Sequence, residues 1–168
     1  MIDFMVIALP RSGTTWCANW LTTDTTLCLH DPLFDYHYLE LDSIKSKKMV
    51  GVSCTGLWNF PEWVNKSRAR KVILHRSLNE INESLVDIGL PKMNNSVNQK
   101  LDAIKGSHID WKDVFNNPKD IYEYLLHKPF DEERHKELIK LVIQPDFERI
   151  TVNHSVTEKL LRELSSVK

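Results

Sequence analysis

The sequence predicts an α/β protein in three layers: a parallel sheet of about four to five strands, helices on both faces, and a mainly helical C-terminal third. Three observations predict it. Up to residue 90, apolar runs of strand length alternate with helical patterns, as in successive β-α-β units. The first run passes through a short polar loop directly into a helix start. Beyond residue 90 the apolar spacing becomes mostly helical.

Residues 2–9 form a nearly continuous apolar run, which is how a strand buried on both faces reads. A helix is expected over 14–23. Thr26-Leu27-Cys28-Leu29-His30 reads as a short second strand, and 34–45 as a helix. Met49-Val50-Gly51-Val52-Ser53-Cys54 is the third strand. Residues 60–66 suggest a short helix opened by Pro61. Residues 71–75 make the fourth strand, and 78–88 a helix closed by Gly89 and Pro91. Helices follow over 94–105, 118–127, 132–143 and 157–164, with a final strand at 108–111. In the 118–127 segment Ile121, Tyr122, Leu125 and Leu126 share one face.

At 168 residues, the length fits one domain over 1–168. Apolar residues make up 42% and charged residues 27%, the balance of an ordinary globular chain. The net charge of −1 argues against general nucleic-acid binding, so any anionic ligand must be held by local cations. No apolar run has bilayer-spanning length, and no signal peptide is evident; a cytoplasmic protein is expected. Cys17, Cys28 and Cys54 form no C-x-x-C pair and read as reduced thiols. The seven histidines form no H-x-x-x-H or H-E-x-x-H pair, so no metal is expected.

The loop at residues 10–16, Pro-Arg-Ser-Gly-Thr-Thr-Trp, carries the chemistry. A strand, a tight loop and a helix start place backbone N–H groups and the positive end of a helix dipole around an anion. Gly13 permits close backbone approach. Ser12, Thr14 and Thr15 supply hydroxyls, and Arg11 a permanent forked cation. The nucleoside-triphosphatase loop G-x-x-x-x-G-K-[ST] is not met: Ala8 replaces its first glycine, and Thr14 stands where its lysine belongs.

The loop resembles the 5′-phosphosulfate loop, P-[KR]-[ST]-G-T-[TS]-[WL], of sulfotransferases that use 3′-phosphoadenosine 5′-phosphosulfate (PAPS). A second segment strengthens the resemblance. The family's 3′-phosphate site is a strand ending in arginine, followed eight residues later by a helical serine. Arg76 and Ser84 have that spacing. The resemblance implies a P-loop-like fold and sulfuryl transfer from PAPS to a hydroxyl or amine, with a small-molecule or saccharide acceptor and no nucleic-acid or membrane partner. It implies that Arg11 neutralises charge on the leaving phosphate and that Ser12, Gly13, Thr14 and Thr15 bind the 5′-phosphate. It further implies that Trp16 stacks on adenine and that Arg76 and Ser84 grip the 3′-phosphate. The cytosolic members' histidine after the third strand is absent; Ser53-Cys54-Thr55 stands there. His30-Asp31-Pro32-Leu33 resembles the His-Glu-Pro-Leu segment of small bacterial members, which makes Asp31 the expected base and His30 the second candidate. The family's Arg-Lys-Gly segment has no clear match; Arg68, Arg70 and Arg149 are candidates for its role.

Simpler structural roles stand beside these. Thr14 and Thr15 could cap a helix, Trp16 could be a core side chain, and Arg76 could pair with Glu80. Asp31 could be a turn residue before Pro32. Two other functions remain open: a P-loop small-molecule kinase, and a catalytically degenerate nucleotide-binding protein.

Overall fold

The computed structural model describes residues 1–141. Five strands form one parallel sheet: β1 (Phe4–Ala8), β2 (Thr26–His30), β3 (Met49–Cys54), β4 (Arg70–His75) and β5 (Ser107–Asp110), in the order β2-β3-β1-β4-β5. All five residues of β1 are buried. Its side chains alternate between two cores, as strand geometry requires. Met5 and Ile7 enter one core with Val64, Ile81, Leu85, Val97 and Leu101. Phe4, Val6 and Ala8 enter the other with Trp16, Trp20, Ile121, Leu125 and Leu126.

Seven α-helices lie in the described residues: α1 (Thr14–Leu21), α2 (Pro61–Lys66), α3 (Leu78–Val86), α4 (Ser96–Asp102), α5 (Asp113–Asn116), α6 (Pro118–Leu126) and α7 (Glu132–Ile139). The first core places α2, α3 and α4 on one face of the sheet. The second places α1, α5 and α6 on the other. Travel along the sheet explains the split. From β1 the chain crosses to β2 in one direction, and from β4 to β5 in the other. Right-handed crossovers then send α1 and α3 to opposite faces. A crevice therefore opens at the carboxyl ends of the adjacent strands β1 and β4, where open α/β sheets bind ligands.

The expected strands are present, with ends moved by a residue or two. The expected helix over 34–45 is instead two 3₁₀ turns, Pro32–Phe34 and Tyr38–Ser43. Only Leu41 of the second turn is buried, so no apolar stripe of α-helical period exists to be covered. Local bonds dominate: the His37 side chain accepts from the Leu39 N–H, and Glu40 accepts from the His37 N–H. The helix expected over 132–143 runs to Ile139. Lys140 caps it and Leu141 is not helical; residues 142 and 143 and the helix expected over 157–164 lie outside the described residues, so a mainly helical C-terminal third is not shown beyond α5, α6 and α7. No described helix is long and apolar enough to cross a membrane.

Gly51 faces Phe4 in the β1–β3 register. A Cβ on Gly51 would lie 2.1 Å from the Phe4 ring, which is fully buried. Gly51→Ala must displace that ring. It is expected to destabilise the fold by about 1–3 kcal/mol, the usual cost of overpacking, read as a lower urea midpoint at unchanged slope. A midpoint equal to wild type would mean that the ring has room to move.

Candidate functional site

β1 ends at Ala8, and the loop that follows turns on two left-handed residues, Arg11 (φ 64°) and Gly13 (φ 84°). Only three non-glycine residues among those described have positive φ, and two are Arg11 and Asp31 (φ 43°). Left-handed backbone at a residue with a Cβ is strained, and such strain gathers at functional sites. Gly13 is the N-cap of α1, and no side chain caps that end. The first N–H groups of α1 are thereby left available to an anion.

The loop after β1 and the segment that runs from the end of β4 into α3 meet across the crevice. Arg11 Nε donates to Ser84 Oγ at 2.8 Å, joining residues 73 positions apart. Arg76 Nη1 donates to the Arg11 carbonyl. The Arg76 guanidinium lies 4.6 Å from the Trp111 ring centroid, a cation–π distance. Glu80 Oε2 stands 3.7 Å from Arg76 Nε, an i,i+4 ion pair as the simpler reading of Arg76 expects, though too long for a hydrogen bond. Arg76 Nε and the fully buried Ser12 Oγ have no hydrogen-bond partner. Two orphaned donors beside a bare helix start suit an anionic ligand.

At the end of β2, His30 and Asp31 join the loop. His30 Nε2 lies 3.1 Å from Thr15 Oγ1 and 3.4 Å from Thr14 Oγ1. It also lies 3.3 Å from Asp31 Oδ2. Asp31 Oδ1 is engaged already: it accepts from the Thr55 N–H at 2.5 Å and from Thr55 Oγ1 at 2.9 Å. Thr14 is fixed from β3, because Ser53 Oγ donates to its carbonyl at 2.8 Å. A small cavity beside Asp31 is lined by Leu33, Phe34, Cys54, Thr55 and Gly56.

Trp16 is placed differently from the loop residues around it. It is 8% exposed, and its ring packs on Trp20, Phe115 and His135 at centroid distances of 5.1, 4.7 and 5.3 Å. Arg70 opens β4 and Arg68 precedes it, at the amino edge of the sheet. A six-residue strand spans about 20 Å, which separates both arginines from the crevice. Arg149 lies outside the described residues. All three cysteines are buried and free of disulfides. Burial pushes the Cys17 thiol up to about 12 and the Cys54 thiol up to about 11.

Sequence reasoning missed Thr55 and Trp111. Thr55 directly follows β3, a position from which parallel sheets commonly feed a site. Trp111 directly follows β5, and its N–H donates to the His75 carbonyl at 2.9 Å, which brings the indole under Arg76.

The fold defines an α/β protein with a five-stranded, all-parallel sheet flanked by helices, compatible with a P-loop-like fold. No protein-family model matches the chain, and a search of curated proteins returns no match.

Proposed function

We infer that the chain transfers a sulfuryl group from PAPS to a hydroxyl or amine. The observation that carries this reading is the convergence of Arg11, Arg76 and Ser84 at one switch-point crevice. A P-loop alone serves any phosphate. A second cationic cradle beside it suits a nucleotide with phosphate on both sides of its ribose.

In this reading the N–H groups at the start of α1, with Thr14 and Thr15, hold the 5′-phosphate. Arg76 and Ser84 hold the 3′-phosphate, and Arg11 lies between the two cradles. Sulfuryl transfer, like phosphoryl transfer, is mostly positioning and electrostatics around an in-line, loose transition state. Arg11 stabilises charge on the leaving oxygen. It acts as a fixed charge, since a guanidinium hardly gives up a proton. The acceptor enters beside Asp31, where the Phe34-lined cavity lies. Asp31 is the base, through the Oδ2 that Thr55 leaves free, with His30 beside it.

The test is calorimetric titration of 3′,5′-phosphoadenosine into wild type, Arg11→Ala and Arg76→Ala. Each substitution removes a charge-assisted contact and should weaken binding by about 1.5–3 kcal/mol. The double variant should lose less than the sum, because Arg76 also braces the Arg11 carbonyl. Absence of binding by wild type, or unchanged affinity in both variants, sinks the reading. Tighter binding of ATP with Mg²⁺ would turn it toward a kinase. Binding of 3′,5′-phosphoadenosine without turnover of PAPS would turn it toward a degenerate nucleotide-binding protein.

A further inference from the structure

Outside the crevice, the face of the sheet that α4 covers carries a cluster that the proposed chemistry does not use. His75 ends β4, His108 lies in β5, and Asp102 ends α4. The strand register pairs His75 with Asp110 and His108 with Ile73. Residues two apart on a strand share a face, so His75 and His108 stand diagonally on the face that α4 covers. His75 Nε2 and His108 Nδ1 are 2.7 Å apart, and the rings stack at 5.0 Å with 28° between planes. Asp102 Oδ1 is 3.8 Å from His75 Nδ1.

One further contact fixes the chemistry. His108 Nε2 lies 2.7 Å from the Ile104 carbonyl. A carbonyl only accepts, so His108 Nε2 carries the proton and its Nδ1 keeps a lone pair facing His75. A backbone carbonyl on the remote nitrogen is the arrangement that orients a metal-binding imidazole. Each of the three residues presents a ligand atom, and all three atoms lie within 4.8 Å of one another.

We propose that His75, His108 and Asp102 bind a divalent transition-metal ion of the Zn²⁺ class, which clips the edge strand β5 and the end of α4 to β4. Two imidazole nitrogens and a carboxylate are a donor set such ions favour, and three protein ligands leave a position for water. His108 and Asp102 are exposed, so an ion has a path in. Ligand nitrogens on one tetrahedral ion stand about 3.3 Å apart. The two rings therefore need to part by only a fraction of an ångström. Without an ion, the pair makes one mutual hydrogen bond and leaves Asp102 too far from His75 to accept. An ion between them replaces that bond: the His75 proton moves from Nε2 to Nδ1, and the two facing lone pairs and the Asp102 carboxylate then engage one ion. The site stands independently of sulfuryl transfer.

The test uses ZnCl₂ alone, titrated calorimetrically into chelator-treated protein. One ion per chain should bind with a Kd below about 10 µM and raise the unfolding temperature. His75→Ala and His108→Ala should each weaken binding by about 100-fold or more. Asp102→Asn should weaken it by about 10–100-fold. Asp102 and His108 are exposed, so circular dichroism of their variants should match wild type. Co²⁺ added to wild type gives a reading that needs no variant. Intense visible bands of a four- or five-coordinate ion support the site, and the weak spectrum of the aquo ion overturns it. Failure of wild type to bind Zn²⁺, or an affinity unchanged by all three substitutions, also overturns it and leaves a hydrogen-bonded histidine pair.

Discussion

Trp16→Ala is expected to lower the unfolding free energy by about 3–5 kcal/mol, the range for removing a buried tryptophan. The ring fills the junction of α1 with α5 and α7, against Trp20, Phe115 and His135. Its neighbours are large and rigid, so the vacated space cannot close by small shifts. One effect opposes the loss. Trp16 Nε1 is buried without a hydrogen-bond partner, and removing it relieves a penalty of about 1–3 kcal/mol. The result should therefore fall toward the lower end of the range. Trp16→Phe, which keeps most of the ring and drops the orphan donor, should recover most of the stability. Urea unfolding measures both. If Trp16 instead served as an adenine platform, the pattern would invert. Stability would stay near wild type, and 3′,5′-phosphoadenosine binding would lose about 1–3 kcal/mol, the worth of one stacked base.

Trp16 also illustrates what the sequence makes legible. Trp16 and Trp20 are four residues apart in α1, and Cys17 and Leu21 lie beside them, so a buried helical face was visible in the spacing. The strands were legible for the same kind of reason. β2 and β3 span the same residues, 26–30 and 49–54, that the sequence pattern predicts. The segment at 34–45 was not legible, because its shape comes from local 3₁₀ bonds and not from a periodic apolar face. In the site, the loop was readable from its residue types, and the Arg76–Ser84 spacing was readable by resemblance. The Arg11–Ser84 bond was not, since it depends on β1 and β4 being neighbours. The Thr55 contacts to Asp31 depend likewise on β2 pairing with β3. His75 and His108 are the extreme case. The motifs H-x-x-x-H and H-E-x-x-H need histidines four apart, and these two are 33 apart, joined only by the β4–β5 register.

Asp31→Asn is the substitution that separates a base from a turn residue, and the local geometry makes it clean. Asp31 sits at φ 43°, a conformation that asparagine tolerates as well as aspartate does. The asparagine Oδ1 can still accept both Thr55 hydrogen bonds, so β2 and β3 stay tied at their carboxyl ends. Only the charge and the proton-accepting Oδ2 disappear. In the sulfuryl-transfer reading, turnover should fall by about 10²–10⁴-fold, the range for losing a positioned general base. Affinity for 3′,5′-phosphoadenosine should stay within about threefold, because no phosphate contact is touched. Release of 3′,5′-phosphoadenosine from PAPS, followed with a panel of hydroxyl and amine acceptors, gives the rate. His30→Asn should cost less, since His30 reaches the reaction beside Asp31 Oδ2 and not in place of it. A reversed order, with Asp31→Asn nearly silent and His30→Asn severe, would move the base to His30 and leave Asp31 as the anchor that positions it.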